Sequence, residues 1–555
     1  MNNRTKLELI WIGKENRPRL EPCILLEDPE RSYHAPRRVT DQDLFDNRLI
    51  FGDNLLALKA LEQEFAGKIK CIYIDPPFNT GQAFEHYSDR LEHSLWLSLM
   101  QARLDVLRTL LARDGVILIH INMDELAHLK VLCDEVFGRQ NFLQIVTIKA
   151  ASTASYRAIN LCPVTVTEYL LMYAKQKEYY VRPMQYVRAE YSEDYRHYIR
   201  NRQESVERWQ LTSLPSLVYE RHGFTNWQEA KREWGRNWAT IRRAEMEDIA
   251  LSEPDSVVSL NTLQKPSRAI QEIIDRSKME RGRVFCLERQ QNDPIYVYNG
   301  RTLAFFSKKL RMIDGKLCPT DVLTNLWSDI SYLSLGLEGG VDFRNGKKPE
   351  ALIKRVLELA TDPGDWVLDS FAGSGTTGAV AHKMGRRWIM VELGEHCHTH
   401  IIPRLRKVID GEDPGGITEA VGWQGGGGFR YFRLAPSLLE RDQWGNWVIN
   451  KAYNAEMLAE AMCKHEGFTY APSEEIFWQQ GHSTERDFIY TTTQELGHDQ
   501  LAYLSDEVGE ERSLLVCCKA FRANPDDFPN LTVKKIPQAV LSRCEFGHDD
   551  YSIQI

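Results

Sequence analysis

Several features that would settle a function class are missing from this chain. No apolar run approaches the roughly 18 residues that span a bilayer, so no membrane partner is expected. The first residues, MNNRTKLELIWIGKENRPR, carry charges with no long apolar core behind them, so no secretory leader is read there. The eleven cysteines are scattered, without a paired CxxC framework, and read as reduced thiols of a cytoplasmic protein. No GxxxxGK[ST] loop is present, so hydrolysis of a nucleoside triphosphate would have to come from another chain. There is no internal repeat and no metal-dependent nuclease signature. His396, Cys397, His398 and His400 have the right side chains for a metal, but they share one short helical stretch and lack a second ligand cluster. No metal is expected.

What is there describes a multidomain globular protein. A length of 555 residues exceeds one ordinary core and predicts two to four domains. The net charge of −9 argues against a nucleic-acid partner only if it is spread evenly, and it is not. Residues 182–316 hold 24 Lys and Arg against 19 Asp and Glu, a balance of +5, whereas 435–555 hold 10 against 20, a balance of −10. The middle can face phosphates; the tail is repelled by them.

Periodicity divides the chain. Residues 1–45 are polar and proline-punctuated, an N-terminal lead-in. From 46 to 180, short β-branched and aromatic runs (47–51, 71–74, 115–121, 164–175) alternate with helical spacing (55–65, 95–111, 124–137), which predicts an α/β fold with a parallel sheet covered on both faces. Residues 181–340 break that rhythm and read as an inserted unit rich in Tyr, Trp and Arg. The α/β pattern returns over 341–424, Gly425–Gly428 reads as a hinge, and 425–555 form an acidic α/β accessory domain.

Two stretches carry chemistry. In KCIYIDPPFNTG the strand Cys71–Ile74 ends in Asp75, then Pro76 and Pro77 force the chain out of the sheet before Phe78. Acid and ring thus sit at the carboxyl end of a central strand, where open α/β sheets place ligands. In WVLDSFAGSGTTGAV a strand ending at Asp369 turns through Phe371, Gly373 and Gly375 into a helix beginning near Thr376. Glycines suit close backbone approach to a ligand, and Glu392 at the end of the next strand is placed to accept ribose hydroxyls. The string Gly373-x-Gly375-x-x-Gly378 also fits a dinucleotide fingerprint. Against that reading, Asp369 would repel a pyrophosphate, and the Asp-Pro-Pro-Phe loop has no task in hydride transfer. S-adenosylmethionine, with a cationic amino-acid end, a sulfonium and no phosphate, suits the loop better.

The pair IDPPF and DSFAGSGTT, in this order, resembles the DNA amino-methyltransferases of the circularly permuted β class. GDNLLALKAL, IYIDPPFNTG, the Trp96/Met100/Arg103-Leu104 pattern and GGGGFR resemble the modification subunit of type III restriction–modification systems, over about residues 20–180 and 340–435. The resemblance implies a Rossmann-like S-adenosylmethionine-dependent methyltransferase sheet, with 181–340 as target recognition domain between a catalytic half (46–180) and a cofactor-binding half (341–424). It implies that Asp53 contacts the adenine part of the cofactor, that Phe371, Gly373, Gly375 and Thr376 hold its methionine end, and Glu392 its ribose. Lys348 and Pro349 would begin a helix closing over it. The family's commonest catalytic form ends in Tyr; Phe78 keeps the ring and loses only a hydroxyl contact.

The chemistry suits these residues. The lone pair of an exocyclic amino group is delocalised into its base, and acceptors at Asp75 and the Pro76 carbonyl, stiffened by Pro77, would orient it for direct in-line transfer. Phe78 would stack on a base swung out of the duplex. Carbon-5 chemistry needs an attacking Cys in a Pro-Cys loop, and Pro22-Cys23 lies in the lead-in, while Cys162-Pro163 has the reverse order. Asp75 favours N6 of adenine over N4 of cytosine, on resemblance; a non-catalytic specificity subunit is the rival from another class. Trp209, Trp227, Trp234 and Trp238 with Arg232, Arg236, Arg242 and Arg243 suit either a DNA grip or a domain core. The expected partners are double-stranded DNA and, through the acidic tail, a second copy or a restriction or translocase subunit, in the cytoplasm at the nucleoid.

Overall fold

The structure, a computed structural model, describes residues 8–21, 23–79, 92–151, 163–290, 292–313, 315–333, 335–343, 346–413 and 415–542. Thr80, Gly81, Pro22 and Cys162 lie outside them. The chain separates into one unit of residues 1–182 with 324–555 and a second of 183–323. Residues 324–340, grouped with the insert on composition, belong to the first unit, where Leu326–Trp327 pairs with Phe142–Lys149.

The first unit is built on one mixed sheet. Its parallel core runs, in spatial order, Gly428–Leu434, Asn47–Phe51, Arg387–Glu392, Trp366–Asp369, Ile69–Ile74 and Leu111–Ile121. The two motif strands are immediate neighbours, with Val367 opposite Cys71 and Leu368 opposite Ile72. Parallel strands end together, so Asp75 and the glycine loop emerge at the same edge. The expectation of a wholly parallel sheet is corrected beyond Leu111–Ile121. There Thr167–Ala174 runs antiparallel to both neighbours, and Phe142–Lys149, absent from the periodicity reading, forms the next strand. A short β-branched run following directly on a helix gives a weak pattern, which is why it was hidden.

Helices His93–Leu110 and Glu350–Ala360 bury continuous apolar faces, Trp96, Leu97, Met100, Leu104 and Leu107 on the first and Leu352, Ile353, Val356 and Leu357 on the second. This is the 3.6-residue stripe of a helix lying on a sheet. Gly425–Gly427 are no hinge. Their φ values are +97°, +108° and +75°, and a Cβ would come within 2.9 Å of Gly411 N, 2.6 Å of Asp43 Oδ2 and 2.7 Å of Leu44 O. Glycine is required there for close backbone packing at the start of Gly428–Leu434.

The tail carries its own five-stranded sheet with helices Ala455–Glu466 and His498–Val508. One of its apolar clusters includes Ile24 from the lead-in, so the tail's core takes in the chain's N-terminal segment. The unit 183–323 is antiparallel throughout its described strands, a six-stranded and a three-stranded sheet with four α-helices among the described residues.

Candidate active site

At the carboxyl edge of the sheet lies one cavity. Asp53, Asp75, Pro77, Lys348, Asp369, Phe371, Gly373, Thr376 and Glu392 all line it, together with Asn54, Tyr73, Leu99, Arg103, Phe343 and His396. Asp75 and Phe371, nearly three hundred positions apart, therefore face the same space. Pro76, Phe78, Pro349 and Gly375 do not line it: Pro76 is buried in the loop, and Phe78 packs against the core. Pro349 precedes the first turn of Glu350–Ala360, and Gly375, at φ +76°, caps Thr376–Lys383.

The Asp-Pro-Pro-Phe loop is held from both ends. Trp96 donates its indole N–H to the Pro77 carbonyl at 2.9 Å. Asn79 occupies the left-handed region at φ +59°, which asparagine tolerates, and donates to Glu125 at 2.7 Å. Glu125 is fully buried and also meets His93 at 2.6 Å and His128 at 3.1 Å. These three side chains bring ligand-type atoms within 4.8 Å of one another, but both imidazoles bond the carboxylate that anchors Asn79, so the group serves the loop. Asp75 Oδ2 pairs with Lys348 Nζ at 2.9 Å, while Oδ1 is buried with no hydrogen-bond partner among the described residues.

The second loop is equally fixed. Asp53 caps the helix Asn54–Phe65, accepting from Leu56 N at 3.0 Å, and pairs with Arg103 at 3.2 Å. Asn54 accepts from Arg103 and donates to the Ser370 carbonyl at 2.7 Å, which ties that helix to the glycine loop. Glu392 accepts from Gly373 N at 2.8 Å, Gly394 N at 2.9 Å and His396 at 3.0 Å. A Cβ on Gly373, at φ +54°, would project into open space, with only the Phe371 carbonyl nearby at 3.9 Å, whereas one on Gly378 would strike Met390 at 2.3 Å. The first glycine leaves the loop open to a ligand and the last allows helix-on-strand packing. Burial pushes the Asp369 carboxyl up to about 7, against hydrogen bonds from Thr377 and the Phe371 N–H.

Sequence reasoning gave no role to Arg103, Asn54 or His396. Arg103 could have been found, since it falls on the same apolar helix face as Trp96, Met100 and Leu107, where a charge demands a buried partner. The His396–His400 group disperses: His396 to Glu392, His398 to Glu395 and Tyr431, His400 to the Asp342 carbonyl.

The family described as DNA methylase matches residues 69–286 and 288–402. The chain belongs to this family. A relative from Haemophilus influenzae, described as a probable type III restriction-modification enzyme HindVI Mod subunit, is 37% identical over 430 residues, covering 74% of this chain and 56% of that one. The type II methyltransferase M.EcaI of Enterobacter cloacae is 26% identical over 63% of this chain and 67% of its own. The chain thus spans little more than half the length of the Haemophilus relative. Among solved structures, PvuII DNA methyltransferase (cytosine-N4-specific) aligns at a TM-score of 0.31 and 14% identity, covering 67% of this chain and 89% of that one.

Proposed function

We propose that the chain is an S-adenosylmethionine-dependent methyltransferase acting on N6 of adenine in duplex DNA, the modification component of a restriction–modification system. The observation that carries this is the shared cavity: the acid of the Asp-Pro-Pro-Phe loop and the glycine loop open on one space. The donor set fits the cofactor. Asp53, Asp369 and Glu392 are carboxylates suited to hydroxyl, ammonium and sulfonium groups, and a pyrophosphate would meet three acids. When bound, the cofactor supplies a methyl group activated on sulfur.

The protein's share is orientation. Asp75 accepts a hydrogen bond from the target amino group, and the Pro76 carbonyl accepts the second, since Trp96 already holds that of Pro77. Acceptors fixed before the base arrives cost no reorganisation during the reaction. Phe78 stacks on the flipped base. The unit 183–323 serves as target recognition domain. Relatives named as Mod subunits of type III enzymes support a restriction partner.

The test uses purified protein, methyl-labelled cofactor and genomic DNA, with the DNA digested to nucleosides. Label in N6-methyldeoxyadenosine is expected, and Asp75→Ala should lower transfer by about a thousand-fold or more while cofactor binding persists. Label in N4-methylcytosine would reassign the base. No label from active-site-intact protein would leave a specificity subunit.

A further inference from the structure

Lys348 stands between two carboxylates. Its ammonium lies 2.9 Å from Asp75 Oδ2 and 4.0 Å from Glu168 Oε2, and 4.7 Å from the centre of the Phe78 ring. A donor on Asp75 and a partner over Phe78 are what a flipped nucleobase would claim under the proposed function, on which this inference rests. The Lys348 side chain is only 11% exposed, so its charge cannot simply turn to water and must exchange one anion for another.

Glu168 is the anion in place for that exchange. Its Oε2 is 2.7 Å from His120 Nε2, and His120 Nδ1 is 2.8 Å from the Tyr73 hydroxyl. An ionised carboxylate only accepts, so Nε2 donates to Glu168. Tyr73, His120 and Glu168 sit on three successive strands of the sheet, with Tyr73 two residues before Asp75. Tyr332 donates to Glu168 as well, at 3.4 Å. Burial alone would raise the Glu168 carboxyl, but Lys348 and His120 hold it down at about 2, and the two acids keep Lys348 protonated against its own burial. Both ions persist at neutral pH. Glu168, Tyr332 and Lys348 line a second cavity of about 380 Å³, whose wall shares Phe343 and Lys348 with the first.

We infer that Glu168 is a positioning residue for base entry: Lys348 occupies the target amino group's place on Asp75 while the site is empty, and passes to Glu168 as the base arrives. No covalent bond changes. The rival arrangement keeps Lys348 on Oδ2 while the amino group takes the unpartnered Oδ1, and then Glu168 is passive.

The test measures cofactor affinity, KM for DNA and kcat in wild type, E168Q, E168D, K348M and the E168Q/K348M double variant. E168Q should lower kcat by about ten- to a hundred-fold with cofactor affinity unchanged, because an entry step after DNA binding is lost. E168D, which keeps the charge, should lose only about two- to five-fold, and carries the comparison should E168Q melt at a markedly lower temperature. In the K348M background, E168Q should cost no further activity, an outcome that a merely structural role would not give. A wild-type kcat in E168Q overturns the inference, as does an equal loss from E168Q with and without Lys348. If wild type itself transfers no methyl group, the functional reading falls and takes the exchange with it; an active wild type with an unaffected E168Q removes the exchange alone.

Discussion

At the scale of single residues, the site depends on acids in unlike surroundings. Asp369 is enclosed by the sheet and its own loop, and burial pushes it up to about 7, whereas an unfolded Asp titrates near 3.9. Between those values the folded protein holds a proton that the unfolded chain has lost. Its stabilising contribution is therefore complete below about pH 4 and lost as pH rises through about 7, an effect of at most about 4 kcal/mol. A cationic ligand entering the cavity favours the carboxylate, so binding should release a proton, and S-adenosylmethionine affinity should rise as pH goes from about 5.5 to about 7.5. Titration calorimetry in two buffers of different ionisation enthalpy counts that proton, and Asp369→Asn should abolish both the release and the pH dependence. Affinity in the wild type that is flat with pH would show that Asp369 does not sense the ligand's charge. Asp369 was legible as a strand-ending acid; its protonation was not, because that depends on how deeply the fold buries it, against the hydrogen bonds from Thr377 and the Phe371 amide.

At the scale of elements, the glycine loop rests on a buried charge network that joins three helices. Glu350 opens Glu350–Ala360, Lys383 closes Thr376–Lys383, and Arg404 lies in Ile402–Asp410. Lys383 bridges Glu350 and Asp413 at 2.8 Å each, and Arg404 reaches Glu350 and Thr376 at 2.7 Å each. Every charged side chain in it is at most 1% exposed. Removing one partner strands the others, so Arg404→Met should cost about 3–5 kcal/mol in urea unfolding and weaken cofactor binding through Thr376. A smaller loss with unaltered binding would mean that the loop keeps its shape without this support. In the unit 183–323 the tryptophans divide by role. Trp209 is buried against Tyr296 and Phe305, and Trp234 is half-buried against Phe224 and His222, while Trp227 is 49% exposed beside Trp238 and Lys231. Arg232 and Arg236 are exposed on the same helical turn region. If this face meets phosphates, Arg232→Ala with Arg236→Ala should weaken DNA binding across all sequences and reduce the salt slope by about 0.9 per contact removed. A slope equal to wild type would place the DNA elsewhere. Composition could not separate these roles, because helix phase decides which ring faces inward.

At the scale of the whole chain, the two motifs were readable because each is a short strand-and-turn whose residue types answer to local geometry. Their adjacency is a property of strand order, which no local pattern encodes; here Val367 beside Cys71 supplies it. The same limit hid the antiparallel edge and gave the glycine run the wrong role, since only the fold shows Asp43, Leu44 and Gly411 pressing on it. It also qualifies how the acidic tail is to be tested. Deleting residues 435–555 would uncover Ile24 by removing the apolar cluster it packs in, Leu438, Leu458 and Met462 among it, confusing lost binding with lost folding. Surface charge is the cleaner variable. Asp506, Glu507, Glu510 and Glu511 are exposed at the end of His498–Val508 and just beyond it, away from that cluster. Neutralising all four to Asn and Gln should leave methyl transfer within about two-fold, because the charges lie outside the active cavity, and should weaken association with a second copy or a restriction subunit by about ten-fold, at roughly 0.3–0.4 kcal/mol per rim charge. Sedimentation velocity and a pull-down with a type III restriction subunit read the two arms separately. Unchanged association in both would show that this face of the tail docks neither partner.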